Sequence, residues 1–417
     1  MPGTADRERE PERAGDAGRA AVGGLRELFG DFEGRVWLNT AHQGPLPEPA
    51  VAEAGEAIAW KRSPRHLVGR RFHEVPARLR RAVAALLGVA ADDVVVTNGA
   101  SYGVHLLADG LALSPGDAVL VMAGDFPSNV LPWLGLESRG VAVRRLASGR
   151  GRPVVGPDDV AEALAAPGAG RPRVLCLSWV HSFSGHATDL AALGALCRER
   201  GVAFVVNTTQ GLGARRLDLS ALPVDAVVNA GWKWLCGPYG TGFCWLRPEL
   251  RERLEVNRRY WLASRTADDL QDAGGGEEDA FPDPTTLGAR RLDVFATASF
   301  FNVKPFAAAL ETLLAAGLDR IEAHDRALVD RLVDGLPPER WRLVSPEAPE
   351  ERTPIVVFSH HEADLEQDRN REVFEHLAAA GLDVALRRGN LRVAPHLHNT
   401  PEDIDRLLEA LAAFPKA

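Results

Sequence analysis

Between residues 94 and 246, short apolar runs rich in β-branched side chains alternate with stretches of helical character. The runs lie at 94–96, 118–122, 174–177, 203–206, 226–228 and 242–246. Strands separated by segments of that length pair through crossovers rather than hairpins, so the pattern predicts a largely parallel sheet covered by helices. Leu190, Leu193, Leu196 and Cys197 fall on one helical face and mark such a crossover. After residue 246 the pattern changes, and 263–288 is polar and glycine-rich and reads as a mobile loop. Helical patterns at 300–316, 320–334 and 371–380, strands near 355–358, 384 and 391–394, and a last helix from Pro401 predict a smaller α+β unit.

A length of 417 residues suits two cores. The expected division is a disordered leader (1–20), a segment joining the small domain (21–70), a large domain (71–289) and a small C-terminal domain (290–417). The leader is charged and lacks the apolar stretch of a signal peptide, and no apolar run approaches the length that spans a bilayer. A cytoplasmic location without membrane contact is therefore expected. The formal charge of -9 argues against nucleic acid or anionic lipid as partners, because both reward clustered positive charge, and a small-molecule substrate is expected instead. Cys176, Cys197, Cys236 and Cys244 form no CxxC pair and no zinc-ligand spacing, so they read as reduced, buried thiols and no metal site is expected.

Lysine is scarce: of 48 basic residues only Lys61, Lys233, Lys304 and Lys416 carry a primary amine. Schiff-base chemistry needs an amine that can lose its proton, which a guanidinium cannot supply. Lys61 sits in a charged run, Lys304 precedes a proline and Lys416 is one from the end, whereas Lys233 lies among aromatic residues and glycines. Such neighbours would desolvate its amine and lower its pKa; the alternative is a snorkelling surface lysine. In Val96-Thr97-Asn98-Gly99-Ala100-Ser101 a strand gives way to a helix start, whose backbone N–H groups and Ser101 hydroxyl suit a phosphate or simply cap the helix. Asn207 and Gln210 follow the run at 203–206, where ligands of α/β sheets bind, unless both only bond to nearby backbone.

In this order the three segments resemble the class V aminotransferase family of pyridoxal-phosphate (PLP) enzymes, which includes cysteine desulfurases, kynureninases and isopenicillin-N-epimerase-like proteins. The resemblance runs from about Trp37 to Leu411 and takes in 37–47, 125–133, 177–185 and 386–396. It implies the PLP fold-type I architecture, an α/β fold with a large PLP-binding domain whose mostly parallel sheet is sandwiched by helices, plus a smaller α+β C-terminal domain. It also implies pyridoxal 5'-phosphate as cofactor, an amino acid as substrate and a homodimer. By match to the family pattern, Lys233 would be the catalytic Schiff-base lysine, Ala100 and Ser101 would bind the phosphate, and Gln210 would bond the phenolic oxygen. Phe126 would cover the pyridine face, or else be a core aromatic, and Trp232 stands where relatives often have His or Tyr. Thr297 is a candidate phosphate contact toward a partner chain. Asn39 and His42 in the opening motif are candidate substrate contacts, Arg387 matches the carboxylate-binding arginine, and Arg392 is a second candidate or a structural residue.

Departures from the family pattern shape the expected reaction. Asn207 stands where relatives place an Asp on the pyridine nitrogen. A carboxylate keeps that nitrogen protonated and the ring a strong electron sink; a neutral amide cannot hold the charge, which disfavours long-lived carbanions. Ala230 stands where several relatives have a phosphate-binding Ser. No cysteine follows Cys244, whereas desulfurases carry their persulfide nucleophile in the C-terminal part. The expected reaction is β-elimination from an S-substituted cysteine (a C–S lyase), with amino-acid epimerisation or transamination as the alternative, and a PLP-fold binding module without turnover as a further one.

Overall fold

The computed structural model describes residues 24–149, 151, 153–166, 168, 170–257, 260, 284–364 and 369–415. The expected leader and the centre of the glycine-rich loop lie outside the described residues. In chain order the elements up to the large sheet are β1 (Val36–Trp37), α1 (Glu48–Arg62) and α2 (Arg71–Leu87). The sheet itself is built from β2 (Val94–Thr97), β3 (Asp117–Met122), β4 (Ala142–Leu146), β5 (Arg171–Ser178), β6 (Ala203–Asn207), β7 (Ala226–Ala230) and β8 (Gly242–Leu246). Between its strands run α3 (Ala100–Gly110), α4 (Pro157–Ala165) and α5 (Leu190–Glu199). The strand order is β2-β8-β7-β6-β5-β3-β4, and every neighbouring pair is parallel except the two made by β8.

These strands read as unbroken apolar runs because both sheet faces are covered, and β2, β3, β7 and β8 are buried along their whole length. The unexpected strand is β4. It lies at the sheet edge, where Arg144 and Arg145 are tolerated, and those same arginines hide it from an apolar-run search. The crossover helix α5 starts at Asp189, whose carboxylate accepts the Ala192 N–H, and it buries Leu190, Leu193 and Cys197 as the periodicity requires.

The C-terminal part contains α6 (Phe300–Ala316), α7 (Leu318–Gly335), β9 (Trp341–Leu343), β10 (Val356–His360), α8 (Arg369–Ala379), β11 (Leu382–Asp383), β12 (Ala385–Arg387), β13 (Asn390–Val393) and α9 (Pro401–Ala413). Its sheet is antiparallel in the order β12-β13-β10-β9, while β1 pairs in parallel with β11. Packing does not follow the division expected at residue 290. Val303, Phe306, Leu310 and Leu313 of α6 share a core with the large sheet, and the Asp293 carboxylate accepts the Val96 N–H of β2 while pairing with buried Arg80.

The loops that follow β2, β3, β5, β6 and β7 all leave the carboxyl edge of the large sheet, where ligands of such sheets collect. The N-terminal segment and small sheet close over that edge through β1, the Asn39–Ala394 bridge and the Gly44 N–H, which donates to the Trp232 carbonyl at 2.9 Å. Only glycine allows this approach, since a Cβ on residue 44 would lie 1.9 Å from the Lys233 carbonyl oxygen. No helix among the described residues is long and apolar enough to cross a membrane.

Candidate active site

His42, Ala100, Ser101, Phe126, Asn207, Gln210, Trp232, Lys233, Arg387 and Arg392 line one cavity of about 410 Å³ at that carboxyl edge. Lys233 follows β7 and is buried, its amine 5.1 Å from the centre of the Phe126 ring. Burial first, then the positive charges of Arg392 and Arg387, bring its pKa down to about 7. The amine is thus in part unprotonated at neutral pH, the state in which it can attack a carbonyl or take up a proton.

The turn that presents Lys233 is anchored from below. Trp234 donates its indole N–H to Gln210 Oε1 at 2.9 Å, and His396 lies 3.0 Å from the Trp234 carbonyl and 2.6 Å from Asp325. Burial alone would neutralise His396, but the Asp325 carboxylate holds its pKa at about 10, so both ring nitrogens donate and the imidazolium ties the small domain to the lysine turn. Beside this turn, α3 begins at Gly99, whose φ of 152° and contact with Trp232 exclude a side chain: a Cβ would meet the indole at 2.9 Å. Ala100 and Ser101 therefore open a helix whose free N–H groups face the cavity wall formed by Trp232.

Asn207 ends β6 inside a one-way chain of hydrogen bonds. Asp125 is buried and accepts four: from the Phe126 N–H (2.7 Å), the Ser178 N–H (2.9 Å), the Ser178 hydroxyl (2.6 Å) and Asn129 Nδ2 (2.9 Å). Because a carboxylate only accepts, the amide nitrogen of Asn129 must face it, and its oxygen must face Asn207. Asn207 accordingly donates Nδ2 to Asn129 Oδ1 at 2.7 Å and accepts the Thr209 N–H on Oδ1 at 3.1 Å. The carboxylate missing at position 207 thus exists one amide further back. Gln210 is similarly engaged, donating Nε2 to the Ala41 carbonyl at 3.1 Å while accepting from Trp234.

The opposite wall is cationic. Arg392 on β13 is buried and donates to the Ser182 carbonyl at 3.1 Å and to Asn39 Oδ1 at 3.4 Å, leaving its Nε without a partner. The guanidinium of Arg387, at the end of β12, makes no hydrogen bond or ion pair with any described residue. Burial and the charges of Arg387, Arg392 and Lys233 push the His42 pKa down, so its imidazole is neutral. Two expected residues lie elsewhere. Asn39 is not among the residues lining the cavity, and its Oδ1 accepts from Arg392. Thr297 is also off the cavity, and its hydroxyl donates to the Val294 carbonyl of its own chain at 2.8 Å. Sequence reasoning missed Ser128, Ser182, Phe183, Thr209 and Tyr239 as lining residues, and the Asp125–Asn129 pair as the support of Asn207. Their only signal was the clustering of polar residues just after strand ends.

The cavity thus gathers a buried lysine amine, a helix start and two arginines at one sheet edge. The model of the family "Aminotransferase class-V" matches residues 56–407, and the chain belongs to that family. Its relatives include a "Probable cysteine desulfurase" of Methanothermobacter thermautotrophicus, 26% identical over 90% of this chain and 94% of that protein. A "Probable hercynylcysteine sulfoxide lyase" of Mycobacterium tuberculosis is 31% identical over 80% of this chain and 78% of that protein. Among solved structures, the cystine C–S lyase C-DES in complex with its product cysteine persulfide superposes with a TM-score of 0.78 at 21% identity, over 93% of this chain and 100% of that one. Class V aminotransferases are PLP enzymes, and the residues present fit that cofactor: a buried unpaired amine, a helix start for the phosphate, and an aromatic ring beside the amine.

Proposed function

We propose that this chain is a PLP-dependent C–S lyase that releases a thiol from an S-substituted cysteine. The observation that carries the reading is the pairing of a near-neutral Lys233 with an amide, rather than a carboxylate, at Asn207. The cofactor, when bound, supplies an aldehyde that condenses with amines and a conjugated ring that draws electrons from Cα. Lys233 Nζ then takes the proton from Cα, the electron pair left behind forms the Cα–Cβ double bond, and the Cβ–S bond breaks with sulfur leaving as thiolate. Addition of water to the released enamine gives pyruvate and ammonia, so each turnover consumes one water and yields one thiol. An expelled thiolate removes the negative charge from the substrate at once, which suits a ring that cannot store it.

The cysteines support elimination rather than desulfuration. All four are buried, none lines the cavity, and burial pushes the Cys176 and Cys197 thiols up to about 12 and Cys244 higher still. No cysteine is therefore placed in the cavity to accept sulfur. The test is to reconstitute the purified protein with PLP, supply S-substituted L-cysteines, and measure pyruvate, ammonia and free thiol. Equal amounts of all three support the reading; keto-acid exchange or racemisation without thiol release overturns it. Self-association into a homodimer is part of the proposal, since Tyr239, Phe295 and Phe301 expose large apolar side chains at 71%, 52% and 47%. A monomer mass by light scattering would remove it.

A further inference from the structure

The cavity contains more positive charge than one amino-acid carboxylate can satisfy. Its lining holds the two guanidinium groups of Arg387 and Arg392 beside the partly protonated Lys233 and, among the described residues, no Asp or Glu. The arginines differ in how they are held. Arg392 is 3% exposed and pinned by Ser182 and Asn39, yet its Nε has no partner. Arg387 is only half-buried and is pinned by nothing described. Keeping two guanidinium groups in one cavity without a counter-ion is unfavourable, and their mutual repulsion shows in an Arg392 pKa that burial and Arg387 lower to about 10. The cofactor phosphate is matched by the start of α3, on the Trp232 wall, so it leaves this imbalance in place.

A fixed fork suits the one group every amino acid shares, and an unpinned one suits the part that varies. With Arg392 on the α-carboxylate, we propose that Arg387 reads a second anionic group, a carboxylate or comparable oxyanion carried on the sulfur substituent of the substrate. This reverses the order in which the family resemblance ranks the two arginines, and it rests on the C–S lyase reading above. The preferred substrates are then dianionic S-substituted cysteines, and a neutral substituent of equal size is a poor one.

S-Carboxymethyl-L-cysteine and S-carbamoylmethyl-L-cysteine form the test pair, because they are nearly equal in volume and differ by one charge. With the PLP-loaded protein, dissociation constants come from the change in visible absorbance on ligand binding, and turnover comes from pyruvate release. The carboxymethyl compound should bind about tenfold tighter or better, the size expected of one charge-assisted fork, and added salt should narrow the gap. In R387Q the ratio should collapse toward one, and R387K should restore part of it. A ratio near one in the wild-type protein overturns the proposal, as does an R387Q variant that weakens both ligands equally, since both arginines would then hold the α-carboxylate. The two readings fail separately. Tighter binding of the carboxymethyl compound without pyruvate supports the charge preference and sinks the lyase, whereas equal pyruvate from both compounds keeps the lyase and sinks the charge preference.

Discussion

The two walls of the cavity face the same ligand with opposite preparation. On the strand-end wall, Asp125, Asn129, Ser178, Asn207 and Gln210 are bonded to one another or to backbone. On the other wall, the His42 and Arg387 side chains make no hydrogen bond with any described residue, and Arg392 leaves a buried N–H free. A wall whose polar groups are satisfied in advance is rigid, and holds a group that must stay in one geometry through every turnover. On the proposed function, a wall whose two guanidinium groups lack a counter-ion is satisfied only when substrate arrives, so its binding energy is exchanged at each cycle. On the same proposal, the cofactor belongs to the first wall and the choice of substrate to the second.

The contrast breaks most visibly at Lys233, which stands between the walls. Lys233→Ala should abolish covalent cofactor attachment and lower elimination by about a thousandfold or more, read as a borohydride-insensitive absorbance and loss of pyruvate release. A rate within tenfold of wild type would remove the reactive group from the centre of the site. Next in size, Asp125→Ala should lower the unfolding free energy of the cofactor-free protein by about 3 kcal/mol, because it orphans donors from Ser178, Asn129 and Phe126. Arg387→Ala in the same denaturant titration should change it by less than about 1 kcal/mol, since no partner is lost. Equal losses would show that the walls do not differ in preparation.

Restoring the family residue sharpens the contrast further. In Asn207→Asp a carboxylate oxygen would face Asn129 Oδ1, where the amide nitrogen now sits at 2.7 Å. Asn129 cannot rotate to help without withdrawing its Nδ2 protons from Asp125 and Ser178, which it meets at 2.9 Å each. The substitution alone should therefore cost about 2 kcal/mol of stability, by thermal unfolding of the cofactor-free protein, even as it strengthens the electron sink. A neutral or stabilising result would mean that the hydrogen-bond chain does not run in one direction.

Much of the strand-end wall is legible in the sequence, and little of the reason it works. Lys233 and Ser101 follow apolar runs and Asn207 ends one, so the pattern puts them at strand ends, while lysine scarcity and the family resemblance single them out. The Asp125–Asn129–Asn207 and Asp325–His396 contacts join residues from different crossovers, and their pairing depends on sheet order and register that no local pattern encodes. Arg387 and Arg392 are two among many arginines and stand out only by resemblance to a family. Resemblance points to Asn39, whose Oδ1 accepts from Arg392 rather than lining the cavity, because matching a motif position says nothing of where the side chain points. The boundary expected at 290 cuts a helix from its core because composition changes at the loop while packing does not.

The gentlest probe is pH, because the open wall acts on the lysine at a distance. Lys233 is faced by the charges of Arg392 and Arg387 and by the neutral His42, and among the described residues no carboxylate lines the cavity to oppose them. Its folded pKa, about 7, lies below the unfolded value, and only the neutral amine attacks the cofactor aldehyde. The rate of PLP capture by the cofactor-free protein should accordingly rise about tenfold per unit below pH 7 and level off above it. Removing a lowering charge must move that inflection up, so Arg392→Gln and Arg387→Gln should each shift it toward higher pH, with Arg392, the larger electrostatic influence, shifting it further. Stopped-flow capture rates across pH 5 to about 9 would resolve the order. An inflection that stays put in both variants would mean that burial alone depresses the lysine, and the cationic wall would then act on substrate without tuning the amine.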